Sequence, residues 1–569
     1  KLVYAEVSRL GKGDFDDEMI AAIKTNLKKD FYQSLESPNY RGYFMMDAFM
    51  QGKDWKQILL FPEEVDRISR EELIRVARQY YGENYLTIYS KMGFPKKEKL
   101  KKPNFKHLEP KNSESKSDFA KQIEQMPVVM TDPVFIEFGK DVEIQDVTDK
   151  IHFYFTPNPI NNIFSISLEF GLGTIKNPEL DPASTFFNLL GTEKRDFPAL
   201  KKEFQKLGAS VQAYADPDAF VIYIDGLEEN MEATLTLVHE LLAEMKADDK
   251  QLEKLVSESK VDRKFEDKEP YSIGEALDNF AMYGDNSPYL TRPTIKEIKA
   301  RTAAEWVSMI KEAMKYEVDI HYSGKTNSTE IRQKIVSNLV VNSTLEKTES
   351  PVEMPRIART ERTVFLLEDK KLIQSQITFF MEGTVLKPEE MAHCNSFNEY
   401  FGGGMYSLVF QEAREFRSLA YSAWAYFRNP PVFGRKSYLL GGITCQADKT
   451  IEAIQIFDSL ITKMPRKPER LEIIRESLLQ AVNSYRPSFR YLSQTVARWR
   501  MLGYKEDPRK QYLEVYNKLK FSDIVEFYKN HLNRSPLITT VAGDTERFDV
   551  KALAPFGKTV VVTKKEIFN

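Results

Sequence analysis

The sequence predicts an α+β fold of tandem homologous domains, each an antiparallel-rich sheet with helices packed on one face. Three observations lead there. Segments such as FSISLEFGLG (164–173) and SQITFFMEGTV (375–385) alternate apolar and polar residues, the two-residue period of a strand with one buried face. Other segments gather their apolar residues into a helical stripe, as at Met391, Cys394, Phe397 and Phe401. One order of helices, turns and strands also recurs at a period of about 220 residues, and that combination favours helices layered on a sheet.

The repeat can be followed along the chain. FNLLGTEKRDFPALKKEFQKLGASVQAYADPDAFVIYIDG (187–226) matches FNEYFGGGMYSLVFQEAREFRSLAYSAWAYFRNPPVFGRKSYLLGG (397–442) in pattern. Each reads as helix, glycine break, helix, strand, Pro-containing turn, strand. GLEENMEATLTLVHELLAEM (226–245) and TCQADKTIEAIQIFDSLITKM (444–464) then close a strand, turn, and run into an amphipathic helix. Further on, helices lead to EVDIHYSG (317–324) in one copy and PLITTVAGD (536–544) in the other, and the same closing half precedes NYLTIYSKMG (84–93) near the start. We therefore expect two and a half modules. Residues 1–93 form the closing half of a domain, 94–130 a charged linker, 131–337 one full domain, 338–359 a connector and 360–569 another full domain. A half module leaves a sheet edge and an apolar face uncovered. The opening KLVYAEVSRL reads as mid-helix, so a processed or engineered piece of a longer protein is expected, any address sequence lying outside it.

Bulk properties narrow the function. The chain has 569 residues, 42% hydrophobic and 29% charged, with a formal net charge of −3, which argues against nucleic-acid binding. No apolar run reaches the length of a membrane span. Two cysteines, Cys394 and Cys445, make no disulfide framework and read as small packed hydrophobes. The Lys-rich stretch 94–130 reads as a solvated connector, because acidic residues follow directly.

No catalytic set is complete. The six histidines (His107, His152, His239, His321, His393 and His531) include no pair at helical spacing, which a sequence-local zinc site requires. His239-Glu240 begins an H-E-x-x-H pattern, but the second His falls on Ala243, so His239 is expected to have no metal role. GGGMYS lacks the Lys and spacing of a phosphate loop, and no G-x-S-x-G occurs.

The run FGGGMYSLVFQEAREFRSLAY (401–421) resembles a signature of the M16 zinc peptidases, the pitrilysin, insulin-degrading and mitochondrial-processing-peptidase group. The resemblance, with the repeat, covers almost the whole chain. Members have four homologous α+β domains in two halves that close like a clamshell. The first carries H-x-x-E-H with a more distant Glu, and the last an Arg and a Tyr seven residues apart. Arg414 and Tyr421 have that spacing, with Ser418 where a Gly is often found. The resemblance makes 1–93 the second half of domain two, about 131–336 domain three and about 360–569 domain four. The metal motif would precede Gly191-Thr192, and its positions fall on Pro182, Thr185 and Phe186, none of which suits zinc.

The resemblance thus implies a C-terminal half with no catalytic residue and no metal ligand of its own, predicted inactive alone. Zinc and the general-base Glu would lie on an absent N-terminal domain. This half would close the chamber and bind the peptide backbone through Arg414 and Tyr421, as donors aimed at the developing charge. Gly402, Gly403 and Gly404 either break the helix for close packing or assist substrate handling; packing is favoured. The expected partners are a peptide substrate and the missing N-terminal M16 domains, in the same chain or in a partner subunit. The alternatives are a non-catalytic partner subunit of a heteromeric peptidase and a structural relative without proteolysis. Bacterial members of this family are often exported to the periplasm or cell envelope, which nothing in these residues shows.

Overall fold

One helical trio is built three times. Helix α1 (Leu2–Lys12) precedes the first trio, which is α2 (Asp17–Ser34), α3 (Pro38–Met50) and α4 (Arg70–Tyr80). Asp16 caps α2 by accepting the Met19 N–H at 2.6 Å. The middle sheet comprises β1 (Glu143–Thr148), β2 (Ile151–Pro157), β3 (Ile163–Phe170), β4 (Ser210–Ala215), β5 (Phe220–Leu227) and β6 (Val318–Gly324). Between β3 and β4 lies α5 (Leu180–Phe187), and between β5 and β6 the second trio: α6 (Asp249–Glu266), α7 (Pro270–Tyr283) and α8 (Ala303–Ala313). The last sheet comprises β7 (Thr363–Glu368), β8 (Gln374–Val385), β9 (Ala420–Arg428), β10 (Lys436–Gln446), β11 (Ile538–Gly543) and β12 (Lys558–Val562). Here α9 (Met391–Asn398) follows β8, and the third trio is α10 (Leu471–Ser484), α11 (Phe489–Met501) and α12 (Phe521–His531). The structure is a computed structural model, and it describes residues 2–82, 84–90, 93, 116–127, 131–342, 344–349, 352–415, 420–532 and 535–569; the side chains of Glu124, Arg414, Glu415, Ala420 and Tyr421 lie outside that description.

The two sheets share one topology. The middle sheet runs β1-β2-β6-β3-β5-β4 and the last one β12-β7-β11-β8-β10-β9. In both, the strand after the trio sits in the interior, parallel to the module's first long strand and antiparallel to the second. The sixth strand differs: β1 lies antiparallel beside β2, and β12 parallel beside β7. Inner faces form separate cores, with Phe153, Ile166, Ile222, Ile320 and Trp306 in one, and Val364, Ile377, Phe379, Phe397 and Phe457 in the other. Phe379 stacks on Phe457 at 4.5 Å.

The second helix of each full trio crosses to the other module. Helix α7 lies on the outer face of the last sheet, where Ile273, Leu277 and Ala281 join Phe365, Leu367, Phe380 and Ile538. Helix α11 lies on the outer face of the middle sheet, where Val496 and Ala497 join Ile136 and Tyr154. A positive-φ glycine ends the helix in all three trios, at Gly52 (φ 65°), Gly284 (φ 59°) and Gly503 (φ 88°), a left-handed turn that glycine adopts without a Cβ clash. So the helices expected on one face of each sheet are joined by a borrowed helix on the other.

The first trio is pinned by buried ion pairs. Lys29 Nζ lies 2.6 Å from Asp225 on β5. The Arg490 guanidinium on α11 donates to both Glu36 oxygens, at 2.6 and 2.5 Å. Asp507, 0% exposed, accepts the Ile136 N–H at 2.8 Å and pairs with Arg509, which donates to the Val134 carbonyl. These contacts clamp the segment entering the middle sheet against the last module.

One expectation differs from the structure. NYLTIYSKMG is expected to close a strand, but residues 84–90 form no strand, because they have none of the neighbours that β6 and β11 have. Of the connector 94–130, residues 94–115 and 128–130 lie outside the described residues, and Asp118–Gln125 is a short helix capped by Ser117.

Candidate functional site

The residues singled out at Gly402–Gly404, Arg414 and Tyr421 converge on one sheet edge. Among the described residues, strand β9 is the outermost strand of its sheet and pairs only with β10. Its backbone is clasped from outside by one side chain. Asn398, at the end of α9, accepts the Phe427 N–H at 2.7 Å and donates to the Phe427 carbonyl at 2.9 Å. The middle module repeats this at its own edge strand β4, where Asn188 accepts the Ala213 N–H at 2.8 Å and donates to the Ala213 carbonyl at 2.9 Å. A carboxamide presents the same donor–acceptor pair as a neighbouring strand, so each edge is satisfied at one residue.

Gly402 brings the chain against that edge. It is buried, and a Cβ added there would sit 2.1 Å from the Ala425 carbonyl oxygen. Any side chain would push β9 away. Gly403 is exposed and Gly404 extended, at φ −147°, and Met405 and Tyr406 at the tip are 67% and 61% exposed. The glycines interrupt the helix as two π-helical stretches, Glu399–Gly403 and Phe410–Glu415. Such widened turns occur often at functional sites.

Arg414 lies in the second π-helical stretch and Tyr421 at the start of β9. Residues 416–419 between them, and both side chains, lie outside the described residues. The backbone register still places Tyr421. Ala420 pairs with Cys445 and Ser422 with Thr444, so Tyr421 is the extra residue of a bulge. Around it the frame is stiff. Tyr400 donates to the Pro465 carbonyl at 2.6 Å and accepts the Lys467 N–H at 3.0 Å. Lys467 Nζ pairs with Glu412 at 2.8 Å. Cys394 and Cys445 are both buried beneath the site, and burial pushes both thiols up to about 12. Both pack within the core of the last module.

The residues at the expected zinc positions of the middle module do not fit a metal. Phe186 is 0% exposed within the core, Pro182 is buried in α5, and the Thr185 hydroxyl faces the Asp181 carbonyl at 3.4 Å. Thr192 donates instead to Glu240, at 2.6 Å. Burial opposes the charge on Glu240, but Thr192 and Arg195 hold its carboxyl below the usual range. His239 Nδ1 lies 2.6 Å from the Asn338 carbonyl, a structural contact. Among the described residues, no group of three or more His, Cys, Asp or Glu could hold a metal ion.

Sequence reasoning missed the asparagine clasp. The signal was present, since Phe187-Asn188 and Phe397-Asn398 open the two repeats in register. An Asn after a helical stripe reads only as a helix end, and its second role needs the fold.

Two tandem α+β modules thus share one topology, and the last carries an edge strand beside a glycine break. Residues 324–478 match the family described as Peptidase M16 inactive domain. The zinc protease YmxG of Bacillus subtilis is 22% identical over 306 residues, 52% of this chain and 73% of YmxG. Among solved structures, a peptidase M16 inactive domain from Pseudomonas fluorescens superposes with a TM-score of 0.57 at 17% identity, over 71% of this chain and 98% of that one. The periplasmic protease PqqL of Escherichia coli gives 0.58 at 12% identity, over 95% of this chain and 63% of PqqL. Residues 324–478 thus match the M16 inactive domain, and the chain is similar in sequence to a zinc protease and in fold to M16 structures.

Proposed function

We propose that this chain is the non-metal half of an M16-type endopeptidase, closing a chamber around a peptide whose backbone it holds through Arg414 and Tyr421. The observation that carries the reading is the edge at β9. In support, Tyr421 falls at a bulge of β9 and Arg414 in a π-helical stretch, and Gly402 and Asn398 hold the strand beside them. The resemblance of the family signature supports the residue roles, and the inactive-domain match supports the absence of a zinc role here.

An Arg keeps its charge at any working pH and offers donors in a planar fork, and a Tyr hydroxyl adds a neutral donor on a rigid ring. Donors aimed at a peptide carbonyl bind the substrate and stabilise negative charge that develops on its oxygen. Zinc would supply an activated water on another domain, since Pro182, Thr185 and Phe186 at the expected motif positions do not fit it. The likeness to PqqL supports a location in the periplasm.

The test compares peptide binding and hydrolysis by the assembled protein with those of this chain alone, using an internally quenched peptide. Arg414→Ala and Tyr421→Phe are expected to lower kcat/KM by about 10- to 1000-fold without lowering zinc content. Unchanged kcat/KM in both variants would refute the assigned roles.

A further inference from the structure

A cavity of about 310 Å³ opens among the helices of the last module, with walls from α9, α10, α11 and the helix Arg509–Lys518. Leu478 and Val482 on α10 are buried at its base, and Tyr485, Trp499, Tyr512 and Tyr516 stand around it. Ala481, one residue before Val482, is exposed at its mouth. The polar groups nearby find their partners within the protein. The Tyr512 hydroxyl lies 3.1 Å from that of Tyr504, and Asn395 Nδ2 donates to the Tyr516 hydroxyl at 3.2 Å. Arg509, the charged residue of the lining, pairs with Asp507 and donates to the Tyr485 carbonyl at 3.1 Å. Ring faces and hydrocarbon are left to meet whatever enters. An uncharged apolar group gains from that transfer, whereas a charged one would lose its hydration and find no partner.

The fold does not require an apolar slot at this corner. Gly284 and Gly503 end the second helices of the two full trios and set the register between them. In that register Glu266 stands where Tyr485 does, Arg263 where Val482 does, and Ser259 where Leu478 does. The middle module has a cleft of about 270 Å³ there, lined in part by Asp181, Glu266 and Arg292. Arg292 donates to both Glu266 oxygens, at 2.8 and 2.5 Å. One corner of the repeat is thus ionic in the middle module and aromatic in the last.

The slot also lies close to the glycine break. Glu399 follows Asn395 by one helical turn, and its N–H donates to the Asn395 carbonyl. Its carboxylate accepts the Ser477 hydroxyl at 2.7 Å, beside Leu478 in the chain, and a Cβ at Gly404 would lie 3.3 Å from Glu399 Oε1. A helical turn rises about 5.4 Å and an extended peptide about 3.3 Å per residue, so a peptide lying at the glycine break reaches the slot within about two to four residues.

We propose that this slot is a subsite for one uncharged apolar side chain, aromatic or branched aliphatic, of the peptide held at β9. The proposal rests on the reading of Arg414 and Tyr421 as backbone contacts and adds a side-chain preference to it. Ligand pockets run from about 300 to 1,000 Å³, and a cavity at the small end of that range admits a side chain, not a helix or a strand.

The experiment measures binding of short labelled peptides to the assembled protein by fluorescence anisotropy. A single Phe, Leu, Ser or Asp is moved along an otherwise constant sequence. At one position Phe and Leu are expected to bind about 10- to 200-fold more tightly than Ser or Asp. Ala481→Trp, which fills the mouth, should abolish that preference, and Ala481→Ser should keep it. A p-benzoylphenylalanine at the preferred position should, on irradiation, form an adduct with Leu478, Ala481, Tyr512 or Tyr516, located by mass spectrometry. A preference that survives Ala481→Trp overturns the proposal, as does an adduct outside the slot. Binding of free indole with no ranking among the peptides overturns it too. The two readings separate. If Arg414→Ala and Tyr421→Phe weaken every peptide alike and Ala481→Trp changes no ranking, the slot alone is refuted. If Ala481→Trp removes the preference while Arg414→Ala and Tyr421→Phe bind every peptide as wild type does, the backbone contacts alone are refuted. Failure of every peptide to bind refutes both.

Discussion

Gly402 and His321 show how single positions carry the structure. Any side chain at 402 meets the backbone of Ala425, and backbone cannot rotate aside. Gly402→Ala is therefore expected to cost about 1–3 kcal/mol, read as a lowered thermal midpoint, and to weaken peptide binding through the displaced edge. The exposed Gly403→Ala should do neither to a comparable degree. His321 lies on β6 beneath α11, 3% exposed, with its ring stacked on Tyr154 at 4.7 Å. Burial pushes its imidazole down to about 4, against the opposing charge of Asp319. The unfolded chain takes up this proton as pH falls below about 6.5, whereas the folded chain does so only near 4. The histidine therefore removes stability as pH drops between those values. The stability difference between wild type and His321→Gln should shift against wild type by at most about 1.4 kcal/mol per pH unit in that window. A pH-independent difference would mean that His321 does not titrate in this way. The role of His321 could not be seen in EVDIHYSG, because alternation gives its side of the strand to solvent, and the helix that covers it lies far away in sequence.

At the scale of elements, edges and borrowed helices decide most of what the fold does. Asn398 and Asn188 hold equivalent edges, but only the first borders the candidate site. Asn398→Ala leaves the Phe427 N–H and carbonyl without their clasp and should lower both the thermal midpoint and peptide affinity, by about 1–3 kcal/mol in stability. Asn188→Ala should lower the midpoint alone. Equal losses of peptide affinity would mean that β9 has no special role. Period-two patterns made the strands legible, and the repeated Pro and Gly bounds made the trios legible. The strand expected from NYLTIYSKMG does not form at its described residues 84–90, since strand pattern supplies a face but not a neighbour. The crossing of α7 and α11 was hidden for a related reason. Both carry helical stripes, and a stripe does not say which module's sheet it meets.

Across the whole molecule, buried charges join parts that are remote in sequence. Glu36 and Arg490 form a two-pronged pair, 9% and 6% exposed at their side chains, between the first trio and α11. Losing one partner leaves a buried charge unpaired, which costs about 3–5 kcal/mol. Glu36→Ala should release the first trio before either sheet unfolds, seen as early proteolytic loss of residues 1–93 at rising temperature. Simultaneous loss of all three parts would show that the pair is not the joint.

The exchange has a consequence for how the chain is made. Ribosomes deliver it from the N-terminus, at about 5–20 residues per second. The middle sheet is complete once residue 324 emerges, but its covering helix α11 begins only at residue 489. Its outer face is polar, with Ser165, Ser167, Glu169, His152, Asp319, His321 and Ser323 on alternate positions of β2, β3 and β6. That face can stay wet during the interval. The last sheet is the reverse case. Its outer face carries Phe365, Leu367, Phe380 and Ile538, and α7 has already been synthesised when those strands form. Only a narrow helical stripe waits in water, never a whole greasy sheet, so the difference in polarity between the two outer faces follows the order in which they are born.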